Sequence, residues 1–241
     1  DLHIIIPAYN AEKYIKKCLD SVLLADKSNN YAYLTTVIND GSTDRTADIL
    51  DGYKDNPHLE IITQENKGFS GARNAGLKHV KGKYIFFLDS DDCLDWRGVE
   101  KLLDVAVETN ADIVAGSYTI IDESGKSIVF NKRKLGNLNG FDLGGTPWAK
   151  VYKSHLFVNL CFPEKYWYED SIMAQIVHPM CRDDLYTVSK ICYQYFINEA
   201  GIVSRSMGNV KSLDSLWITM GLLVERERFG LMANQTSFDY F

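Results

Sequence analysis

A chain of 241 residues, 46% apolar and 24% charged, can bury one sizeable core and has the composition of an ordinary folded domain. Its formal net charge of −6 excludes the global basic footprint of a nucleic-acid binder and argues against broad adhesion to anionic lipid, although a single pocket can oppose the net charge locally. The five cysteines (Cys18, Cys93, Cys161, Cys181, Cys192) are scattered without a C-x-x-C pair, which argues against a thiolate zinc site or a disulfide framework and for reduced thiols in a cytoplasmic protein.

The chain opens directly on Leu2–Pro7, a β-rich apolar run with no leader-like segment ahead of it. Tyr14, Ile15, Cys18, Leu19 and Val22 then recur at helical spacing after Asn10. Leu34–Ile38 reads as a second buried strand, followed by the loop Asn39-Asp40-Gly41-Ser42-Thr43-Asp44 and a helix over 44–53. Leu59–Thr63 is a third strand, Ser70–Val80 a third helix, and Tyr84–Leu88 a fourth strand that runs into Asp89-Ser90-Asp91-Asp92. Strands alternating with helices predict a mostly parallel sheet covered on both faces. Ligands of such sheets sit beyond the carboxyl ends of the strands. The polar clusters Pro7–Asn10, Asn39-Asp40, Glu65-Asn66 and Asp89–Asp92 fall at those ends, so positions far apart in the chain converge on one rim.

A helix to about Thr109 and a strand over 112–116 come after Trp96. Residues 122–145, rich in Gly, Asn and Lys, read as a hairpin and a loose connection. Trp148–Phe157, Glu169–Pro179 and Tyr186–Phe196 are expected to form a second, mixed layer, and 212–229 an amphipathic helix. On that helix Leu213, Leu216, Trp217, Met220, Leu223 and Val224 make one stripe, expected to pack on the domain or on a partner helix, as in a homodimer, before any peripheral membrane contact. No apolar run of about 18 residues is present to span a membrane. The organisation expected is one domain in two halves, over 1–95 and 96–205, followed by a helical extension over 206–241.

Three carboxylates within four residues at the exit of a buried strand repel one another unless a cation or donor array compensates. A hard divalent metal is one compensator, since Mg²⁺ typically takes one or two carboxylates plus substrate phosphates. An acidic turn capping the helix near Trp96 is the other, and the residues alone leave both open.

The ordered segments PAYNAEKYIKKCLDSV, VINDGSTDRT, ENKGFSGARNAGL and GKYIFFLDSDD resemble family 2 glycosyltransferases of the GT-A fold, an α/β, Rossmann-like nucleotide-binding architecture. PWAKVYKSHLF, FPEKYWYED and ICYQYFINEAGIVSRS extend the resemblance toward bacterial members that build capsule, lipopolysaccharide and other surface glycans. The resemblance implies that Pro7 and Tyr9 line a nucleobase pocket and that Asp40 hydrogen-bonds the base, with Asn39 replacing the first acid of the usual Asp-Asp-Gly-Ser. Asn66 and Arg73 match polar positions near the base and diphosphate, where a permanently charged guanidinium suits phosphate. Asp89 and Asp91 match the D-x-D motif, the first facing the ribose or a metal-bound water and the second ligating Mn²⁺ or Mg²⁺; Asp92 could replace either by a small shift in register. Glu169-Asp170 matches the Glu-Asp pair, Asp170 being the catalytic base and Glu169 a structural or acceptor-binding neighbour. Without the resemblance, Arg73 reads as a surface helix residue, and Glu169-Asp170 as acids at a helix start.

The activity that this family resemblance implies is an inverting transfer of a sugar from a nucleotide-sugar, UDP by family habit, to a glycan or lipid-linked glycan acceptor, at most at the inner face of a membrane. Two rivals stand beside it. A sugar-1-phosphate nucleotidyltransferase would need a Gly-rich, cationic loop after the first strand, where this chain has Pro7-Ala8-Tyr9-Asn10-Ala11. A catalytically inactive nucleotide-sugar-binding module would not need Asp89, Asp91 and Asp170 intact. The processive synthases' Gln-x-x-Arg-Trp is absent, so one sugar per encounter is expected. Trp148 and Lys150 resemble acceptor-side positions, although a core tryptophan fits as well. His178-Pro179 reads first as a helix end rather than a metal imidazole, and Lys132-Arg133-Lys134 as a solvated loop rather than a grip on an anionic acceptor.

Overall fold

The computed structural model describes residues 1–24, 30–122, 124–130, 136–137, 143, 145–181, 185–198 and 209–232. The Lys132–Lys134 run lies outside the described residues, as does the end of the resemblance beyond Asn198.

The first third alternates as expected: β1 (Leu2–Ala8), α1 (Ile15–Leu23), β2 (Tyr33–Asp40), α2 (Thr46–Asp51), β3 (Leu59–Gln64), α3 (Gly68–Leu77) and β4 (Tyr84–Phe87). β5 (Cys93–Leu94), α4 (Trp96–Thr109), β6 (Ile113–Ile121), β7 (Ser127–Phe130), β8 (Gly136–Asn137) and β9 (Lys150–Lys153) come next. A 3₁₀ turn over Ser154–Phe157, a π-helical segment over Met173–Val177, the short α5 (His178–Met180), β10 (Leu185–Phe196), a 3₁₀ turn over Val210–Leu213 and α6 (Asp214–Arg228) complete the described elements.

All the described strands join one sheet in the order β3-β2-β1-β4-β9-β6-β10-β5, with β7 on β6 and β8 on β10. β3, β2, β1 and β4 pair in parallel. β9 then runs antiparallel to both β4 and β6. The sheet is therefore mixed rather than mostly parallel beyond β4, and β9 and β10 extend it instead of building a separate layer. A hydrogen-bonded strand satisfies its backbone more completely on an existing sheet edge than in a detached hairpin.

The pleat sorts the core by parity. Ile4, Ile6, Phe86 and Val114 face a cluster closed by Ile15 and Leu19 of α1 and by Val99, Leu102 and Leu103 of α4. Ile5, Ile85, Phe87 and Ile113 face the opposite cluster, which contains Tyr152, Phe157, Phe162, Ile172, Met173 and Ile176. Gly98 lets α4 sit directly on β10, because a Cβ there would lie 1.9 Å from the carbonyl oxygen of Ile191.

α6 forms as expected, but its apolar stripe does not pack on the domain. It docks through Ile218 and Leu222 on the second cluster, together with buried Arg226, at four-residue spacing. The stripe of Leu213, Leu216, Trp217, Met220, Leu223 and Val224 is instead exposed, Trp217 at 62%. A charged residue in the inner row conceals that row from a hydrophobicity pattern, yet Arg226 is buried with its guanidinium donating to the carbonyls of Gln175 and Met232.

His3 is fully buried on β1. The Lys81 backbone N–H donates to its Nδ1 at 3.2 Å, so Nε2 carries the hydrogen and donates to Thr36 Oγ1 at 2.9 Å. Burial pushes its pKa down from 6.5 to about 4. The unfolded chain thus binds this proton first, and stability is full above pH 6.5 and lost as pH falls toward 4. Urea midpoints followed across that window should fall, and His3→Gln, which cannot take the charge, should flatten the slope.

Candidate active site

The loops beyond β1 and β2 are stitched together before any ligand is considered. Asn10 N–H donates to Ser42 Oγ at 3.1 Å and Thr43 N–H to Asn10 Oδ1 at 2.8 Å. Ala11 N–H donates to Thr46 Oγ1 at 2.8 Å and Arg45 N–H to Glu12 Oε2 at 3.0 Å. Asn39 Oδ1 accepts from Ser42 N–H at 3.2 Å, so an amide closes the turn with no added charge at this place. Gly41 has φ +70°, and a Cβ there would lie 2.8 Å from the Asn66 nitrogen, so the β2 loop can press against the β3 loop only with glycine.

That approach fixes Asp40. Its Oδ1 accepts from Gln64 Nε2 at 2.6 Å and from Lys67 N–H at 2.9 Å. Its Oδ2 is buried without a partner among the described residues. An orphaned buried carboxylate oxygen is costly unless something donates to it. Tyr9, half exposed at 51%, stands on the same rim beyond buried Pro7, and Asn66 is exposed with Oδ1 accepting from Gly68 N–H.

The acids after β4 separate into different environments. Asp89 Oδ1 accepts from Arg73 Nη2 at 2.8 Å, while its backbone N–H donates to Tyr193 Oη at 3.2 Å. Asp91 is partly buried with Oδ2 accepting from Asn198 Nδ2 at 2.9 Å, and burial with the neighbouring Asp89 raises its pKa. Asp92 is buried inward; its oxygens accept from Tyr193 Oη at 2.6 Å and Phe196 N–H at 2.8 Å. A register shift that brings Asp92 to the rim would break both bonds, so it anchors β10 to the acidic turn and does not substitute for Asp89 or Asp91. Nor does the acidic turn cap the helix: Asp95 is the N-cap of α4, accepting from Gly98 N–H.

Arg73 lies at the centre. It is buried on α3, donates to Asp89 through Nη2 and to Glu169 through Nη1, and leaves Nε buried without a partner among the described residues. The guanidinium thus ties the β4 loop to Glu169-Asp170, far along the chain, and two of its donors face protein carboxylates. Burial pushes Glu169 up to about 7, Arg73 opposing and Asp170 adding to the rise. Asp170 is also raised, first by burial, with Asp89 adding and Arg73 and Lys150 opposing. Lys150 is buried on β9, its Nζ donating to the Thr146 carbonyl at 2.6 Å. Trp148, half-buried, stacks on Tyr193 at 4.9 Å and on Tyr195 at 5.8 Å, a packing role along the acidic turn.

Asp40, Asn66 and Tyr9 therefore share one end of the sheet, while Asp89, Arg73, Glu169 and Asp170 form one connected charge network, with Asp91 beside it. Among the described residues no group of three or more His, Cys, Asp or Glu could hold a metal by itself, and His178 is buried in the core. Asp89 and Asp91 nevertheless fit a hard cation whose remaining ligands are phosphate and water oxygens: burial and then repulsion from Asp89 raise Asp91, and a positive ion offsets both. Tyr193, Asn198 and Gln64 were not singled out by the sequence reading. Each acts through a partner acid (Asp92, Asp91 and Asp40), and no local pattern marks such a contact. A cleft of about 590 Å³ between α1 and the end of β10 opens on Asp91 and is lined also by Lys17, Phe196 and Asn198.

The model of glycosyl transferase family 2 matches residues 3–162. Glycosyltransferase GlyA of Streptococcus pneumoniae serotype 4 is 33% identical over 96% of this chain, and glycosyltransferase GlyG of the same strain is 35% identical over 54% of it. The chain spans 34% of GlyA and 42% of GlyG. The crystal structure of Staphylococcus aureus TarS 1-349 in complex with UDP-GlcNAc superposes with a TM-score of 0.79 at 23% identity, over 93% of this chain and 66% of that one. This likeness establishes the GT-A fold.

Asp91 and Asp92 should behave oppositely when altered. Asp92→Ala leaves the Tyr193 hydroxyl and the Phe196 N–H without their acceptor and should cost about 1–3 kcal/mol in urea unfolding. Asp91→Asn removes a repelled charge and should leave the midpoint unchanged or higher in metal-free buffer.

Proposed function

We propose that this chain, which belongs to glycosyl transferase family 2, transfers a sugar from a UDP-sugar to an acceptor hydroxyl by single displacement with inversion. The observation that carries the reading is the network in which buried Arg73 holds Asp89 of the β4 loop and Glu169, next to Asp170, in one place. The orphaned Oδ2 of Asp40 supports the nucleobase assignment, since the N–H of a uracil ring supplies the donor that this oxygen lacks. Tyr9 offers an exposed ring on the same rim on which a base can stack. That UDP-GlcNAc is bound in the TarS complex agrees with a uridine donor.

Asp89 and Asp91 would hold a Mn²⁺ or Mg²⁺ ion, which when bound neutralises charge on the leaving diphosphate. Burial raises the pKa of Asp170, with Asp89 adding to the rise against Arg73, and this makes it a stronger base than a solvated aspartate. It takes the proton of the acceptor hydroxyl as that oxygen bonds to the anomeric carbon. The bond from that carbon to the diphosphate oxygen breaks, and the electron pair leaves with UDP. Glu169, tied up by Arg73, orients the pair and is not free to compete as base. Attack opposite the leaving group turns an α-linked donor into a β-linked product. A place in bacterial surface-glycan synthesis, with a glycan or lipid-linked glycan as acceptor, accords with the bacterial relatives. Among the described residues no helix is long and apolar enough to cross a membrane.

Asp170→Asn should lower UDP release from UDP-sugars by about 100-fold or more, with UDP affinity by calorimetry held within about twofold. Turnover near wild type would refute Asp170 as base. UDP release should also require added Mn²⁺ or Mg²⁺ and stop on addition of EDTA.

A further inference from the structure

The segment that carries Glu169 and Asp170 is not held in place by its own conformation. Tyr168, directly before the acids, has φ +64°, and Lys165 has φ +75°. The left-handed region is unfavourable for a bulky side chain and persists only where contacts from outside impose it. Beyond Ser171 and Ile172 the chain enters a π-helical turn over Met173–Val177, an uncommon form.

That support comes from α6. Asp214 Oδ2, on the first residue of α6, accepts from the Trp167 backbone N–H at 2.9 Å. Lys211, just before the helix, places Nζ 5.7 Å from the centre of the Trp167 ring. At the other end Arg226 Nη1 donates to the Gln175 carbonyl of the π turn at 2.5 Å. Between these points Ile218 and Leu222 pack in the same cluster as Ile172, Met173 and Ile176. The helix thus grips the acid-bearing segment on both sides of Asp170. An acid on the first turn of a helix is ordinary for the macrodipole alone, but this one gives an oxygen to the residue that enters the left-handed turn.

We infer that α6 is a clamp for the catalytic segment, and that Asp214 is a positioning residue that sets Asp170 against the acceptor by holding the Trp167 N–H. The inference rests on the assignment of Asp170 as base. No exposed residue of the outer α6 stripe takes part in it.

The test uses the whole chain with Mn²⁺ and whichever of UDP-Glc, UDP-Gal, UDP-GlcNAc and UDP-GalNAc gives the fastest UDP release, water serving as acceptor. Asp214→Ala should lower kcat about tenfold while the KM for the UDP-sugar stays within twofold. Asp214→Asn, whose amide oxygen still accepts from Trp167, should restore most of the loss. Where alanine unfolds the helix, Asp214→Glu keeps the first-turn charge but displaces the oxygen, and kcat should fall about threefold. A wild-type kcat in Asp214→Ala or Asp214→Glu, a matching rise in KM, or equal losses in the alanine and asparagine variants would overturn the clamp. Asp170→Asn is run beside them. If it is inactive while Asp214→Ala is fully active, the clamp alone is wrong; if it is active, the base assignment fails and takes the clamp with it.

Discussion

The buried guanidinium of Arg73 is the constraint on which the proposed reaction centre depends. A cation enclosed in the core is costly to desolvate, and it persists here because Asp89 and Glu169 face it from two directions. Those acids lie far apart in sequence, on the loop after β4 and on the segment before the π-helical turn. The ion pairs therefore do more than stabilise: they fix where the two halves of the site meet. Removing one partner would leave the others buried and uncompensated, so the network tolerates little variation.

Around that centre the rim is assembled by hydrogen bonds between loops rather than by packing. The β1 and β2 loops exchange backbone donors for side-chain oxygens at Asn10, Glu12, Ser42 and Thr46. Gly41 allows the β2 loop to abut Asn66, and the result aims one oxygen of Asp40 at a place where nothing in the described protein answers it. The orphaned oxygen, the exposed Tyr9 ring and the neighbouring acids Asp89 and Asp91 are the features that the proposed nucleoside diphosphate and its cation would complete. The site is incomplete in the way expected of a binding site, and it lies beyond the carboxyl ends of parallel strands, as the sheet dictates.

The parts of the fold that were legible are those in which local pattern and tertiary role coincide. Apolar runs and helical spacing located β1 to β4 and α1 to α4, most plainly β1, β2, β4, α1 and α4, which bury several apolar residues each. The acids at the strand ends stood out because charge beside a buried strand demands a reason. Less was legible where a residue's role is set by a distant partner. Asp92 looks like Asp91 in sequence, yet it is turned inward by Tyr193 and Phe196, about a hundred residues away. Arg73 alone reads as a surface helix residue, and only its two carboxylates explain its burial. The expectation that the α6 stripe packs on the domain failed for a related reason: the apolar stripe is the outer one, and the inner row contains an arginine whose partners are backbone carbonyls that carry no sequence signal.

Hydrogen–deuterium exchange with UDP and Mn²⁺ addresses the shared rim most directly. Peptides covering 7–12, 39–46, 64–68 and 89–92 should gain protection together and at one UDP concentration, while α6 changes little. Protection confined to a single one of these segments, or absent from all four at saturating UDP, would contradict the account that they form one nucleotide site.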